Sequence, residues 1–143
     1  MTTIELYDLA EQNQILVINL EMEEVLSASA CYNGNYAIVM DKSQIETGRQ
    51  EKVCILHEMG HCETGSFYNI YSPLDLQEKH EYQANKWAIH KAIPLDELQF
   101  ALENGCTEMW ELAEEFGVTE DFVKKSLEIY ETEGLYTPPQ SEL

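Results

Sequence analysis

Two kinds of apolar pattern run along the chain, one with helical spacing and one typical of strands. Apolar side chains recur every three to four residues in six stretches, which predicts amphipathic helices. These stretches are residues 4–14, a segment from Ser43 or Arg49 to Cys62, Leu76–Ile93, 95–104, 107–116 and 119–133. Apolar and β-branched residues also form three short runs typical of strands, at Ile15–Ile18, Ser27–Tyr32 and Tyr36–Met40. Because strands and helices do not alternate along the chain, the order predicts an α+β fold.

The two later strands are separated by a turn with a strong sequence signal. The turn reads Asn-Gly-Asn at residues 33–35, and asparagine and glycine both tolerate the positive φ that tight hairpins require. We therefore expect a small antiparallel β-sheet or hairpin packed on a helical bundle. The length of 143 residues fits one domain, predicted over residues 1–136, and residues 137–143 are predicted to form a disordered tail.

The predicted helix that ends at Cys62 contains the sequence His-Glu-Met-Gly-His at residues 57–61. Histidines four residues apart lie one above the other on a helix, so the rings of His57 and His61 can share one metal cation. Glu58 stands one position further round the helix, where its carboxylate can take a proton from the nucleophilic water. The motif predicts a metallopeptidase centre with Glu58 as its catalytic carboxylate.

A catalytic zinc site also needs a third protein ligand and one open position. The metzincin continuation is absent, because Phe67 occupies the position where that pattern has its third histidine. The next predicted helix offers Glu78 and Glu81, with His80 beside them, and we select Glu81 as the third ligand. Asn85 follows Glu81 by one turn, where its amide oxygen can accept the free ring N–H of a ligating histidine.

A second motif follows the HExxH motif and extends the pattern. Residues 81–88 read Glu-Tyr-Gln-Ala-Asn-Lys-Trp-Ala and the helix closes at Ile93-Pro94, while residues 112–118 read Leu-Ala-Glu-Glu-Phe-Gly-Val. Over about residues 35–130 the chain resembles the ImmA/IrrE family of metallopeptidases. The resemblance implies a zincin-like, gluzincin-like fold, a Zn²⁺ ion, and cleavage of a helix-turn-helix repressor in phage or mobile-element regulation.

This arrangement implies a mechanism for peptide hydrolysis. Glu58 would take the proton of the attacking water and return it to the leaving amine, and a bound metal ion would supply electrostatic stabilisation of the oxyanion. A second oxyanion donor is expected. The candidates are His80, Tyr68, Tyr71 and Tyr82. The strand Tyr36–Met40 is predicted to be the sheet edge on which an extended substrate pairs.

The charge of the chain narrows the choice of partners. Its 27 acidic side chains outnumber the 8 basic ones, which gives a net charge of −19. Docking on nucleic-acid phosphates or anionic lipid would bring like charges together, so we expect no nucleic-acid and no membrane partner. The N-terminus lacks signal-peptide character and the four cysteines lack CxxC spacing, which predicts a cytoplasmic protein with reduced thiols.

Two further features of the sequence have competing interpretations. Cys54 lies on the same helical stripe as the two histidines and could close the metal site as a fourth ligand, although a buried thiol is commoner. Residues 112–127 have a helix-turn-helix rhythm, but residues 107–131 carry eight acidic side chains against two lysines. That balance disfavours DNA binding and favours a packed helical pair that supports the centre or receives a repressor.

Three functions therefore compete. The leading hypothesis is a zinc-dependent endopeptidase that cleaves a specific protein. The alternative is a non-catalytic, zinc-containing binding module that neutralises a regulatory protein by occupying it. A third possibility, a small acidic adaptor that mimics DNA, depends on charge alone and predicts that no metal binds.

Overall fold

The computed structural model describes residues 1–139, which form six helices and three strands. The helices are α1 (Thr3–Gln12), α2 (Gly48–Thr64), α3 (Leu74–Ala92), α4 (Leu95–Glu103), α5 (Met109–Phe116) and α6 (Glu120–Thr132), and the strands are β1 (Ile15–Asn19), β2 (Ser27–Tyr32) and β3 (Asn35–Met40). The predicted α+β class is confirmed, and the predicted elements are present with ends shifted by a few residues. The predicted tail at 137–143 falls largely on residues 140–143, outside the described residues.

The three strands form a mixed sheet in the order β1-β3-β2. The hairpin between β2 and β3 is antiparallel, as expected, whereas β1 pairs with β3 in parallel. The prediction that Tyr36–Met40 is a sheet edge is wrong, because β3 is the central strand and β2 lies at an edge. The physical reason is burial. Ile38 and Met40 of β3 are fully buried, and a strand in the central position has its backbone groups hydrogen-bonded along both edges.

Helix α2 lies at the centre of the molecule and contacts α1, α3, β2 and β3. Its start is defined by Thr47, whose side chain accepts a hydrogen bond from the backbone N–H of Gln50. Its end is defined by Gly65, which adopts a left-handed conformation with φ of 65° and turns the chain away. Between these ends, α2 buries Ile55, Leu56 and Met59 in the core. A central, well-capped helix gives the 57–61 motif a rigid support.

Helices α2 and α3 approach each other most closely at Gly60 and Ala84. A Cβ atom added at Gly60 would lie 2.3 Å from the carbonyl oxygen of Ala84, which is closer than any real side chain allows. Glycine inside a helix costs about 1 kcal/mol relative to alanine, so its presence here reflects the close backbone contact. This contact sets the distance between the two helices that carry the predicted site residues.

The segment with helix-turn-helix rhythm forms α5, a tight corner and α6. Gly117 ends α5 with φ of 65°, and the Nζ of Lys52 on α2 donates a hydrogen bond of 2.7 Å to the carbonyl oxygen of Phe116. Tyr130 on α6 donates a hydrogen bond of 2.6 Å to the carbonyl oxygen of Ile93 at the end of α3. The pair is therefore attached to both of the helices that carry the predicted site residues.

Candidate metal centre

Three potential ligand side chains converge between α2 and α3. The Nε2 atoms of His57 and His61 lie 3.2 Å apart. Oε2 of Glu81 lies 3.0 Å from Nε2 of His57, and Oε1 of Glu81 lies 3.1 Å from Nε2 of His61. Ligands about 2.0–2.1 Å from a tetrahedral zinc ion are ~3.3 Å from one another. Within residues 1–139, these are the three side chains grouped closely enough to hold a metal ion.

The other ring nitrogen of each histidine faces an oxygen atom. Nδ1 of His57 lies 2.9 Å from Oδ1 of Asn85, and Nδ1 of His61 lies 2.5 Å from the carbonyl oxygen of Ser66. An oxygen acceptor at Nδ1 favours the tautomer whose proton is on Nδ1, which leaves the Nε2 lone pair free. Two such lone pairs and one carboxylate then lie next to one another, an arrangement that a bound cation stabilises.

The electrostatics of the residues also favour positive charge at this point. When the Nε2 atoms carry protons instead of lone pairs, hydrogen bonds from His57 and then His61 hold the pKa of the Glu81 carboxyl well below its usual range, although burial opposes them. Burial alone would lower the pKa of His57, but its hydrogen bond to Glu81 and the charges of Glu58 and Glu81 together raise it. A proton and a metal cation are both stabilised by the same electron-pair donors. The raised pKa of His57 and the ligand geometry therefore both indicate a site that favours a cation.

Glu58 lies beside this group but outside it. The side chain is buried, with 5 % exposure, and Oε2 accepts a hydrogen bond of 2.7 Å from the hydroxyl of Ser27 at the start of β2. Glu58 is not a member of the ligand group, but it is close enough for its charge to help raise the pKa of His57. Its position between α2 and the sheet places it next to β2, the edge strand.

The other candidate residues have separate positions. The hydroxyl of Tyr68 donates a hydrogen bond of 2.6 Å to Oε1 of Glu81, and its ring stacks on that of His80 with centroids 6.5 Å apart. Tyr71 is 89 % exposed and Tyr82 is also exposed. Cys54 is buried and free, and it is not one of the three grouped ligands. Of the four oxyanion candidates, Tyr68 directly contacts a member of the group.

Two contacts at the site were not predicted from the sequence. Ser66 contributes a backbone carbonyl, which has no signature in the residue type, although Gly65 just before it does predict a reversal of the chain. Ser27 stands in a predicted strand with no local motif, and its contact with Glu58 depends on how β2 lies against α2. Such long-range contacts follow from the tertiary fold.

Comparison with known families agrees with this geometry. The model of the Peptidase M78 family, described as the IrrE N-terminal-like domain, matches residues 10–128. The chain therefore belongs to this family of metallopeptidases, and the resemblance to the ImmA/IrrE family is confirmed. No curated protein and no solved structure matches the chain. In residues 1–139, none of the helices has the length and apolar character needed to span a membrane.

Proposed function

We propose that the chain is a zinc-dependent endopeptidase that cleaves a protein substrate. The observation that carries the proposal is the convergence of two Nε2 atoms and one carboxylate within 3.2 Å of one another. His57, His61 and Glu81 would hold the zinc ion. Three protein ligands leave the fourth tetrahedral position open, which is the arrangement of catalytic rather than structural zinc sites.

The bound zinc ion would supply Lewis-acid polarisation of the scissile carbonyl. Glu58 would act as general base and then as general acid, because its carboxylate is held beside the ligand group by α2. Tyr68 would shift its hydrogen bond from Glu81 to the oxyanion, since its hydroxyl lies 2.6 Å from Oε1 of Glu81. That hydrogen bond, together with burial, raises the pKa of Tyr68 to about 12, so the hydroxyl keeps its proton at neutral pH.

The substrate would pair with β2 in an extended conformation. Strand β2 lies at the edge of the sheet, and its first residue contacts Glu58. An edge strand offers unpaired backbone groups, which bind an extended peptide through main-chain hydrogen bonds. We place the substrate on β2 and not on β3, because both edges of β3 are already paired.

Charge supports a DNA-binding protein as the substrate. The chain carries a net charge of −19, which attracts proteins with basic surfaces and raises their association rates. Proteins that bind nucleic acid carry such basic surfaces. A helix-turn-helix repressor of a phage or mobile element would fit the acidic surface, and it is the substrate that the resemblance of the motifs to the ImmA/IrrE family implies.

The test compares three zinc-loaded proteins: the wild type, Glu58→Gln and the control Glu63→Gln. Glu63 lies on the same helix and is exposed, so its substitution makes the same chemical change outside the site. Each protein is incubated with a panel of helix-turn-helix repressors, a panel of equally basic proteins that are not repressors, and a peptide library from a digested proteome. New N-termini are identified by mass spectrometry.

We expect cleavage by the wild type and by Glu63→Gln, a loss of at least about a hundredfold in Glu58→Gln, and a preference for the repressors. Equal cleavage by Glu58→Gln would contradict the assigned role of Glu58. If the substrates stayed intact in stoichiometric complexes, the peptidase hypothesis would be wrong and the non-catalytic binding module would take its place. Cleavage without preference between the panels would support the peptidase activity and contradict the assignment of repressors as its substrates.

A further inference from the structure

The buried carboxylate of Glu58 is hydrogen-bonded by a residue from outside its own helix. The hydroxyl of Ser27 donates to Oε2 of Glu58 over 2.7 Å, and 31 residues of chain separate the two. Glu58 is 5 % exposed, so little water is available to solvate its charge. A hydrogen bond to an ionised acceptor in such surroundings is stronger than one between neutral groups.

The backbone around Ser27 is held firmly in place. Ser27 pairs with Met40 in the antiparallel ladder, and the N–H of Asp41 donates a hydrogen bond of 2.8 Å to the carbonyl oxygen of Leu26. The Asp41 carboxylate also accepts a hydrogen bond of 2.8 Å from the N–H of Met22 in the preceding loop. The Ser27 hydroxyl is therefore presented to Glu58 by a strand that is fixed on both sides of the residue.

The two oxygens of the Glu58 carboxylate have different tasks in this arrangement. Oε2 accepts the Ser27 proton, which restricts rotation of the carboxylate about its last bond. Oε1 does not share this contact and would be the oxygen that takes the proton of the attacking water. A base held in one orientation loses less freedom on the way to the transition state than a base that rotates.

Resting on the function proposed above, we propose that Ser27 is a positioning residue for Glu58. It holds one oxygen of the base in place so that the other faces the reacting atoms. Because Ser27 is the first residue of the edge strand β2, the same strand would bind the substrate backbone and orient the base. Substrate and base would then share one rigid support.

The kinetic test uses Ser27→Ala, Ser27→Thr and the control Ser126→Ala, each loaded with zinc. Ser126 is buried on α6, and its hydroxyl donates a hydrogen bond of 2.7 Å to the carbonyl oxygen of Phe122, so its substitution removes a buried hydroxyl that lies outside the proposed site. The substrate is an internally quenched peptide with the sequence that the wild type cleaves best in the peptide library. Zinc content and thermal unfolding midpoint are measured for every protein.

We expect Ser27→Ala to lower kcat about tenfold with KM within about twofold of the wild-type value, since the lost bond acts on the base and not on substrate binding. Ser27→Thr, which keeps the hydroxyl, should restore most of kcat, and Ser126→Ala should match the wild type. An unchanged kcat in Ser27→Ala would overturn the proposal. An equal loss in Ser126→Ala, or no rescue by threonine, would assign the effect to a general loss of packing and also overturn it.

A second readout is independent of catalysis. Crystal structures of the metal-free wild type and of metal-free Ser27→Ala would show the orientation of the Glu58 carboxylate. We expect one orientation in the wild type and two or more, or a different one, in Ser27→Ala. The same single orientation in both would refute the positioning role even if no substrate is found, whereas failure of the wild type to cleave any peptide would refute the proposed function alone.

Discussion

The helix pairs α2–α3 and α5–α6 differ in what lies at their contact. Between α2 and α3, two backbones touch at Gly60 and Ala84, and polar groups line the space next to this contact. Between α5 and α6 the buried side chains are mainly apolar. They include Leu112, Ala113, Val118, Phe122 and Val123. One pair is built around groups that could bind a cation, and the other is built as ordinary core.

The difference shows how a binding site can be distinguished from a structural contact. Polar groups that are removed from water lower stability unless they are paired, so a folding requirement alone favours the apolar contact of α5 and α6. The two Nε2 atoms of the histidines, 3.2 Å apart, are not a stabilising pair when both carry lone pairs. The α2–α3 contact is therefore suited to binding, and its geometry depends on how closely the two helices pack.

The largest expected effect tests that packing. Gly60→Ala places a methyl group 2.3 Å from the carbonyl oxygen of Ala84, so α2 and α3 must separate. We expect the free energy of unfolding to fall by roughly 3 kcal/mol and zinc affinity to fall with it. Urea denaturation and zinc titration measure the two effects.

The matched control for this prediction is Gly48→Ala. A Cβ at Gly48 meets nothing within 4 Å, and the residue lies at the start of the same helix. This variant should retain wild-type stability and zinc affinity. If Gly60→Ala behaved like Gly48→Ala, close packing of α2 on α3 would not define the site.

A smaller effect separates orientation of a ligand from packing of the helix. Asn85→Ala removes the oxygen that faces Nδ1 of His57, and loss of such an outer contact typically weakens metal affinity about 10- to 100-fold. We expect stability to change little, because Asn85 is only partly buried. Isothermal titration with zinc measures the affinity, with Gln83→Ala on the same helix as the control. Equal zinc affinities for the two variants would show that Asn85 does not orient His57 for metal binding.

The smallest effect belongs to the α5–α6 pair. Lys52→Met keeps the aliphatic part of the side chain and removes the hydrogen bond to the carbonyl oxygen of Phe116. We expect the free energy of unfolding to fall by about 1 kcal/mol, with zinc affinity unchanged. Urea denaturation and zinc titration again measure both quantities. A marked loss of zinc affinity would show that the α5–α6 pair influences the metal ligands. It would contradict the distinction between a binding contact at α2–α3 and a purely structural one at α5–α6.

Local patterns in the sequence account for much of this structure. Helical spacing predicted all six helices, and the Asn-Gly-Asn turn predicted the β2–β3 hairpin, because both signals are local. The spacing of His57 and His61 places them on one helix face, and the Glu81 carboxylate lies beside both histidines. That Glu81 is the third metal ligand stays a prediction. These relations depend on residues a few positions apart and on the combination of the motif at residues 57–61 with the motif at residues 81–88.

Relations between distant segments were harder to predict. No local sequence pattern indicates the parallel pairing of β1 with β3. This pairing makes β3 the central strand, so the prediction that β3 is a sheet edge is wrong. The contacts of Glu58 with Ser27 and of His61 with the carbonyl oxygen of Ser66 also depend on how segments meet in three dimensions. A serine in a strand and a backbone carbonyl carry no sequence pattern that would reveal such roles.

The most direct test of the central claim is the zinc content of the purified wild type beside Glu81→Ala and Glu78→Ala, by elemental mass spectrometry. Both variants remove a glutamate from α3, but only Glu81 contacts the histidines. We predict about one zinc ion per chain in the wild type and in Glu78→Ala, and loss of the ion in Glu81→Ala. A well-folded wild type that holds no zinc after reconstitution, or a Glu81→Ala variant with full zinc content, would contradict the account.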